Sequence, residues 1–327
     1  MKLLIADLNG SPLNGETAVG TVLLEQTLLS SIDAERIFFT PSGRKRKGDV
    51  IDGVYEKISS MNDVFDKFDV VHINSQSFGK KYPMVKHESI TCQIHAPTCF
   101  KAYNLNEFFK NIDIKTIFAY ADTISFIDNF YNKIEIGVPF VREYSARNLA
   151  CVNKEKDRIL FASRFAFHKM PKQCIEKIEE AKNFYADFFN AGQNSFLKHI
   201  ILKDSDLKFS RIIDDSWNGN LEIIDGGIYF ARFCCNSNKH LSGRPEIVIL
   251  ECMDSGIVPI VSENFFGREI IEDENAISID CLHKLNDSGL MEKIIGNNYK
   301  KISEYDIEKT FNAFLEEWKT LIKEEYL

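Results

Sequence analysis

Residues 243–262 carry the sequence GRPEIVILECMDSGIVPIVS, and each part of this stretch fits one local structure. Pro245 is suited to the first position of a helix, where its fixed φ is already helical and no N–H is needed. Gly256 is placed to end that helix after about three turns, because glycine readily adopts the left-handed conformation. The apolar run 257–261 then predicts a buried strand. Four apolar residues give the helix a buried side: Ile247, Val248, Leu250 and Met253.

The acidic residues of this helix suggest a ligand. A helix N-terminus preceded by glycine, here Gly243, is a natural cradle for phosphate oxygens. Glu246 lies near the start of the helix, and Glu251 in its middle can accept hydrogen bonds from two sugar hydroxyls. Together these residues predict a nucleotide-sugar site. The alternative is an ordinary scaffold helix with both carboxylates in solvent, so a second, independent signal is needed.

The composition is that of a soluble protein with two domains. The chain has 327 residues, of which 44% are apolar and 27% charged, enough for two cores of ordinary size. No apolar run reaches the roughly 18 residues that span a bilayer, and the N-terminus lacks the features of a signal peptide. The eight cysteines show no CxxC pair and no zinc-ligand spacing, so we expect reduced thiols in a cytoplasmic protein without a membrane partner.

The charge pattern allows a local basic patch. A net charge of −8 argues against a surface that is basic throughout, but phosphate binding needs only clustered lysine and arginine. The clearest cluster is Arg44, Lys45, Arg46 and Lys47. Such a run is most often a solvated loop, and it becomes a candidate nucleic-acid contact only if another feature points to a polyanion.

Strand and helix signals alternate in the first half of the chain. The predicted strands are residues 3–6, 36–39, 70–73, 91–95 and 116–120, with helices at 21–31 and 55–65. This alternation predicts a parallel sheet with helices on both faces. Ligands of such sheets bind beyond the carboxyl ends of the strands. The loop that contains Gly15 and Gly20, and His95 at a strand end, are therefore candidate site residues.

The second half repeats this α/β pattern. A polar stretch at residues 142–156 precedes it, a helix is predicted at 172–188, and an amphipathic helix at 306–323 closes the chain. We therefore predict an α/β protein with two Rossmann-like, doubly wound domains facing a cleft. The predicted limits are 1–150 for the first domain, 151–303 for the second and 304–327 for the C-terminal helix.

A second signal opens the second domain, where residues 158–172 have the sequence RILFASRFAFHKMPK. A predicted strand ends at Ala162, and Arg164 and Lys169 follow before the next helix. An arginine and a lysine at a strand end can clamp two phosphates, the guanidinium by paired hydrogen bonds and the ammonium as a point charge. Taken alone the pattern is weak, since surface arginines and lysines are common.

The two stretches together, in this order, resemble the second domain of retaining GT-B glycosyltransferases of the family 4 type. The resemblance implies a GT-B fold whose C-terminal helix crosses back to the N-terminal domain. It implies a UDP-sugar as co-substrate on the second domain, an acceptor on the first, and no metal or other cofactor. Arg164, Lys169 and the backbone at Gly243 match the site of the donor diphosphate. Glu251 matches the glutamate that binds the nucleotide ribose.

One departure from the family pattern makes the chain more similar to a smaller group of enzymes within this class. The usual motif has an acidic residue eight positions before the ribose glutamate, where this chain has Gly243. An acidic residue stands instead at Glu246, five positions before Glu251. That spacing is similar to the phage DNA α-glucosyltransferases, which modify 5-hydroxymethylcytosine.

Two further stretches are similar to those phage enzymes: GETAVGTVLLEQ at residues 15–26 and CQIHAP at residues 92–97. The first contains the two loop glycines named above, which match a donor loop. In the second, His95 matches a histidine near the donor sugar, while Ala96 stands where those enzymes have an aspartate implicated in the chemistry. The resemblance thus implies His95 and Glu246 as catalytic residues.

The implied function is transfer of glucose, or of a pentose such as arabinose, from a UDP-sugar to 5-hydroxymethylcytosine in phage DNA, with retention of configuration. Residues 44–47 would then contact the backbone phosphates of double-stranded DNA, and the target base would be flipped out. Two alternatives stay open. The acidic net charge favours a glycosyltransferase that acts on a cell-surface glycan or a small molecule. Ala96 and Gly243 keep open a UDP-sugar-binding module without catalysis.

Overall fold

The computed structural model of the protein describes residues 1–8, 30, 32–45, 53–74, 84–94, 109, 111–127, 131–138, 140, 155–163, 165–190, 199, 203, 207–213, 229–237, 245–267 and 269–325. The chain forms two compact units. The N-terminal unit is Met1–Pro139 together with Ile307–Leu327, and the C-terminal unit is Phe140–Asp306. The domain limits predicted from the sequence, at residues 150 and 303, stay predictions. Among the described helices, none combines the length and the apolar character needed to cross a bilayer.

The described strands of the N-terminal unit form one parallel sheet. They are β1 Leu3–Leu8, β2 Ala34–Thr40, β3 Val54–Lys57, β4 Val70–Asn74, β5 Ile90–Ile94, β6 Thr116–Ala119 and β7 Asn132–Glu135. Their order in the sheet is β3-β2-β1-β4-β5-β6-β7. The chain adds β2 and β3 on one side of β1 and the later strands on the other side, so the strand order reverses between β1 and β4. Helices α1 Met61–Phe65 and α2 Ala121–Ile124 lie between strands. Every residue of β5 is buried, as expected for a parallel sheet that is covered on both faces.

The helix predicted at residues 55–65 is wrong in its first half. Val54–Lys57 is the strand β3, and the α-helical part is Met61–Phe65. Strand β3 pairs in parallel with β2, and the ring of Tyr55 stacks on Phe38 of β2 with 5.0 Å between the ring centroids. Pairing with a strand that is distant in sequence therefore overrides the local helical pattern.

The described strands of the C-terminal unit form a second parallel sheet. They are β8 Glu155–Ser163, β9 Tyr185–Asn190, β10 Ser210–Ile213, β11 Tyr229–Phe233, β12 Val258–Val261 and β13 Ile277–Ser278. Their order is β10-β9-β8-β11-β12-β13, and the reversal falls between β8 and β11. The longer described helices are α3 Pro171–Ala181, α4 Ile247–Ser255 and α5 Ser288–Lys301. Both sheets thus have the doubly wound arrangement that the sequence predicted.

Helix α4 and strand β12 confirm the local structure predicted around the two glutamates. Gly256 ends the helix in the left-handed conformation, with a φ of 65°, and all of β12 is buried. The start of the helix differs from the prediction, because Pro245 lies two residues before it. Glu246 has an extended backbone, and its carbonyl oxygen accepts the first helical hydrogen bond, from the N–H of Ile249 at 2.8 Å.

The helix predicted at residues 172–188 is too long. Helix α3 is followed by Lys182, which adopts the left-handed conformation with a φ of 58°. From Tyr185 onward the chain forms β9, which pairs on one side with β8 and on the other with β10. Strand pairing on both sides decides between helix and strand here, and sequence periodicity does not reveal it.

Helix α6, Ile307–Glu325, confirms the predicted C-terminal helix and belongs to the N-terminal unit. Its Trp318 is fully buried and donates a hydrogen bond from Nε1 to Oγ1 of Thr91 on β5, at 3.1 Å. Phe314, one turn earlier, stacks on Phe118 of β6 with 4.0 Å between the ring centroids. The last helix of the chain therefore completes the core of the first unit.

Replacing Trp318 with alanine is expected to destabilise the N-terminal unit by about 3–5 kcal/mol, because removal of a fully buried indole leaves a cavity. Chemical denaturation followed by circular dichroism measures the change in the free energy of unfolding. The control is Glu316→Ala on the same helix, where the side chain is 77% exposed, and it should lie within about 0.5 kcal/mol of the wild type. Equal stability of the two variants would contradict the packing of α6 on this sheet.

Candidate functional site

Several residues singled out in the C-terminal unit meet at one edge of its sheet. Strands β8 and β11 are neighbours, and the strand order reverses between them. Lys169 follows β8, whereas Glu246 and Glu251 lie at the start and in the middle of α4, which follows β11. Ligands of doubly wound sheets bind beside such a reversal, at the carboxyl ends of the strands. This edge is therefore a candidate ligand site.

Lys169 is held by a carboxylate. It closes the 3₁₀ turn Phe167–Lys169 between β8 and α3. Its Nζ lies 2.7 Å from Oε2 and 2.9 Å from Oε1 of Glu246. The side chains of Lys169 and Glu246 are 15% and 20% exposed, so the ion pair lies at the boundary between protein and solvent. An ammonium group has three N–H donors, and the contacts with Glu246 leave a donor for a further acceptor.

Asn236 holds the other side of the Glu246 carboxylate. Its Nδ2 donates to Oε1 of Glu246 at 2.7 Å, and the residue is buried. Ser262, after β12, fixes Asn236 in turn. The N–H of Asn236 donates to the serine hydroxyl at 3.0 Å, and that hydroxyl donates to the carbonyl oxygen of Asn236 at 2.8 Å. Sequence reasoning missed Asn236, and the available signal was a polar residue soon after the end of a buried strand.

Glu251 is paired with a guanidinium inside the sheet. Nη1 of Arg232, on strand β11, donates to Oε2 of Glu251 at 2.7 Å. The Arg232 side chain is 1% exposed and that of Glu251 is 14% exposed. Burial lowers the pKa of Arg232 and the Glu251 carboxylate raises it, and the net shift is upward. Arg232 therefore keeps its charge throughout the physiological pH range. Sequence reasoning missed this residue, because no motif marks it.

The structure describes the remaining predicted site residues only in part. Arg44 and Lys45 are exposed in the turn after β2, at the carboxyl edge of the N-terminal sheet. The N–H of Arg44 donates to the Thr40 hydroxyl at 3.1 Å, which anchors the turn to the end of the strand. Seven predicted residues lie outside the described part of the chain: Gly15, Gly20, Arg46, Lys47, His95, Arg164 and Gly243. Their roles stay predictions.

The described side chains suit a ligand that carries both an anion and hydroxyl groups. The ammonium of Lys169 supplies positive charge for phosphate oxygens, and the carboxylates of Glu246 and Glu251 accept hydrogen bonds from hydroxyls. Each of these charged groups has an opposite charge beside it, which offsets part of the free-energy cost of its partial desolvation. Among the described residues, no group of three or more His, Cys, Asp or Glu side chains could hold a metal ion.

A cavity of about 1140 Å³ lies elsewhere, in the N-terminal unit. Residues that precede β4, β5 and β6 line it, among them Asp69, Glu88 and Lys115. It therefore opens at the amino ends of these strands, opposite to the edge at which doubly wound sheets bind ligands. His87 in its wall is engaged with the backbone, with Nε2 2.9 Å from the carbonyl oxygen of Phe68. We assign the candidate site to the carboxyl edge of the C-terminal sheet instead.

No protein-family model matches the sequence, and comparison with curated proteins gives no match either. Solved structures do match in fold. A glycosyltransferase from Rickettsia africae ESF-5 is 14% identical, with a TM-score of 0.65 over 98% of this chain and 99% of that one. An α-glucosyltransferase in complex with UDP and a 13-mer DNA containing an HMU base is 11% identical, with a TM-score of 0.66 over 98% and 99%. Anabaena Alr3699/HepE in complex with UDP-glucose is 12% identical, with a TM-score of 0.67 over 98% and 100%.

These neighbours define the class of fold. Two doubly wound parallel sheets with helices are shared with GT-B glycosyltransferases over nearly the whole chain. The fold class predicted from the sequence is therefore confirmed. At such low identities the likeness is evidence of fold alone, and the function rests on the residues of the site.

The Lys169–Glu246 ion pair is expected to be energetically coupled. A double-mutant cycle with Lys169→Met and Glu246→Gln should give a coupling free energy of about 1 kcal/mol or more, because both groups are largely removed from solvent. Chemical denaturation supplies the four free energies of unfolding.

The Lys319–Glu316 pair on α6 is the matched control for this cycle, since its side chains are 55% and 77% exposed. Its coupling should stay below about 0.5 kcal/mol. Equal coupling in the two pairs would mean that the contact between Lys169 and Glu246 has only the strength of a surface ion pair.

Proposed function

We propose that the protein is a retaining glycosyltransferase that uses a UDP-sugar as its donor. The observation that carries the proposal is the pairing of Lys169 with Glu246, and of Glu251 with Arg232, beside the strand-order reversal of the C-terminal sheet. An ammonium suits the phosphates of such a donor, and a carboxylate suits its ribose hydroxyls. Neighbours of the same fold are in complex with UDP or UDP-glucose, which supports this choice.

In the proposed reaction the bond between the anomeric carbon and the β-phosphate oxygen breaks, and a bond to the acceptor oxygen forms on the same face of the sugar. Arg164, Lys169 and backbone N–H groups near Gly243 stabilise the negative charge that develops on the departing diphosphate. Glu246 stabilises the positive charge that develops on the sugar ring, and His95 contacts that sugar. The acceptor proton leaves on a phosphate oxygen of UDP.

We propose that no metal ion takes part. Arg164 and Lys169 supply the positive charge that a divalent cation would otherwise place on the diphosphate. The reaction should therefore proceed in the presence of a chelator.

We also propose that Gly15 and Gly20 belong to a loop that binds the donor, because glycine has no side chain and permits close approach of the backbone to a sugar-phosphate.

For the acceptor we propose 5-hydroxymethylcytosine in double-stranded DNA, with glucose or a pentose such as arabinose as the sugar. The support is the sequence likeness at residues 15–26 and 92–97, together with the neighbour in complex with UDP and DNA. Arg44 and Lys45 are exposed at the carboxyl edge of the N-terminal sheet, where they can contact backbone phosphates. The target base is flipped out so that its hydroxymethyl group reaches the donor.

A cell-surface glycan or a small molecule is the second candidate acceptor. The net charge of −8 favours it, because a polyanion is repelled by an acidic protein except at local basic patches. Another neighbour of the same fold is a glycosyltransferase involved in avilamycin A biosynthesis. A UDP-sugar-binding module without catalysis is the third candidate, and turnover separates it from the other two.

Incubation of the protein with a panel of UDP-sugars and DNA that contains 5-hydroxymethylcytosine should add the mass of a hexose or a pentose to that nucleoside, as measured by mass spectrometry. Lys169→Met should lower the rate by at least about 100-fold, because a charged donor to the leaving diphosphate is lost. Lys172→Met is the matched control: its side chain on α3 is 53% exposed, and the variant should keep the wild-type rate.

Other outcomes of this experiment select between the candidates. UDP release with a glycan or a small molecule, without mass gain on DNA, would replace the DNA acceptor with the second class. Binding of UDP-sugars without turnover of any acceptor would support the third candidate, a UDP-sugar-binding module without catalysis. A Lys169→Met variant as active as the Lys172→Met control would remove Lys169 from the donor site.

Arg44→Ala combined with Lys45→Ala should weaken DNA binding and reduce the slope of log affinity against log salt by about 1–2, since up to two phosphate contacts are lost. Fluorescence anisotropy of a labelled duplex at several salt concentrations measures the slope. The double variant Lys67→Ala, Lys86→Ala is the control, because it removes two exposed lysines near the amino ends of the N-terminal strands. A slope that stays the same in the first variant would exclude Arg44 and Lys45 from DNA contact.

A further inference from the structure

Arg232 is an unusual residue for its position. Strand β11 lies in the interior of the C-terminal sheet, between β8 and β12, and every residue of the strand is buried. Interior strands of parallel sheets are normally apolar, and a buried guanidinium is costly unless it is paired. An apolar side chain would serve the packing of this strand better, so the arginine is expected to have another role.

The two arms of the guanidinium connect two elements of the candidate site. Nη1 donates to Oε2 of Glu251 on α4 at 2.7 Å, and Nη2 donates to the carbonyl oxygen of Ala162 on β8 at 3.2 Å. A guanidinium is planar and holds its donors in a fixed geometry. Arg232 therefore ties the Glu251 side chain to the carboxyl end of β8, from which the chain continues to Lys169.

This contact orders one oxygen of the Glu251 carboxylate and leaves the other for a ligand. In the described part of the chain, no residue donates to Oε1 of Glu251, and the side chain is 14% exposed. A glutamate side chain without such a contact loses conformational entropy when it binds a ligand. Because Arg232 already orders Glu251, this loss of entropy no longer weakens ligand binding. The charge of Arg232 also offsets the repulsion between Glu251 and a nearby diphosphate.

We infer that Arg232 is a positioning residue that orients Glu251 so that Oε1 accepts hydrogen bonds from the ribose hydroxyls of the nucleotide. The inference rests on the proposed function and adds to it the origin of selectivity for a ribonucleotide over a deoxyribonucleotide. A site built to bind a hydroxyl rejects the analogue that lacks it, because the polar group of the site is then left without a partner.

The test compares the affinities for UDP and 2′-deoxy-UDP, measured by isothermal titration calorimetry. The wild type should prefer UDP by about tenfold or more, the effect of one hydrogen bond to a charged group. In Arg232→Met the preference should fall to within about threefold, with UDP weakened more than 2′-deoxy-UDP. Arg232→Lys keeps the charge without the planar fork and should show an intermediate preference.

Arg158→Met is the matched control. Arg158 is another strand arginine of this sheet, with Nη1 3.3 Å from Oδ2 of Asp187, but it lies in the middle of β8 rather than beside Glu251. Its removal should leave the preference for UDP unchanged. Circular dichroism establishes that each variant is folded, and Arg232→Lys supplies the comparison if Arg232→Met does not fold.

Three results would count against these assignments in different ways. A wild type that binds no UDP would overturn the proposed function and this inference with it. A wild type that binds UDP and 2′-deoxy-UDP equally would overturn the ribose role of Glu251, on which the inference depends. A clear preference in the wild type that persists in folded Arg232 variants would overturn the inference alone.

Discussion

The strand-order reversal between β8 and β11 is the constraint on which the candidate site depends. From β8 the chain continues to one side of the sheet, toward β9, and from β11 it continues to the other side, toward β12. The chain therefore leaves these two strands in opposite directions, and ligands of doubly wound sheets bind beside such a point. The two loops stay in contact there, since the N–H of Ser237 donates to the carbonyl oxygen of His168 at 2.7 Å. Lys169 reaches that edge from the first loop, and α4 brings Glu246 and Glu251 from the second. The topology brings these elements together, and their side chains supply the chemistry of the site.

Two ion pairs keep those side chains in place. Lys169 is paired with Glu246, which Asn236 also holds, and Arg232 is paired with Glu251. A UDP-sugar combines a negatively charged diphosphate with many hydroxyl groups, and under the proposed function it meets donors and acceptors that are already oriented. Preorganised charges need little rearrangement when charge develops during reaction, which is the main way in which a protein stabilises a transition state.

The N-terminal unit has the same kind of topology, with its reversal between β1 and β4. Helix α6 completes its core through Trp318 and Phe314, so the last helix of the chain stabilises the first sheet. The turn with Arg44 and Lys45 lies at the carboxyl edge of that sheet. Under the proposed function this local positive charge serves the DNA acceptor, although the chain as a whole carries a net charge of −8.

By itself the sequence determined the local elements: the helix that Gly256 ends, the strand after it, the C-terminal amphipathic helix and the alternation that defines two doubly wound sheets. It also singled out Lys169 and Glu246, because their positions after a strand and at a helix start follow from local patterns. Only the tertiary structure decided that β3 and β9 are strands, since pairing with distant strands stabilises them. It alone revealed Arg232 and Asn236. The ion pairs of the site join residues 77 and 19 positions apart, and such contacts depend on the order of strands in the sheet, which no local pattern records.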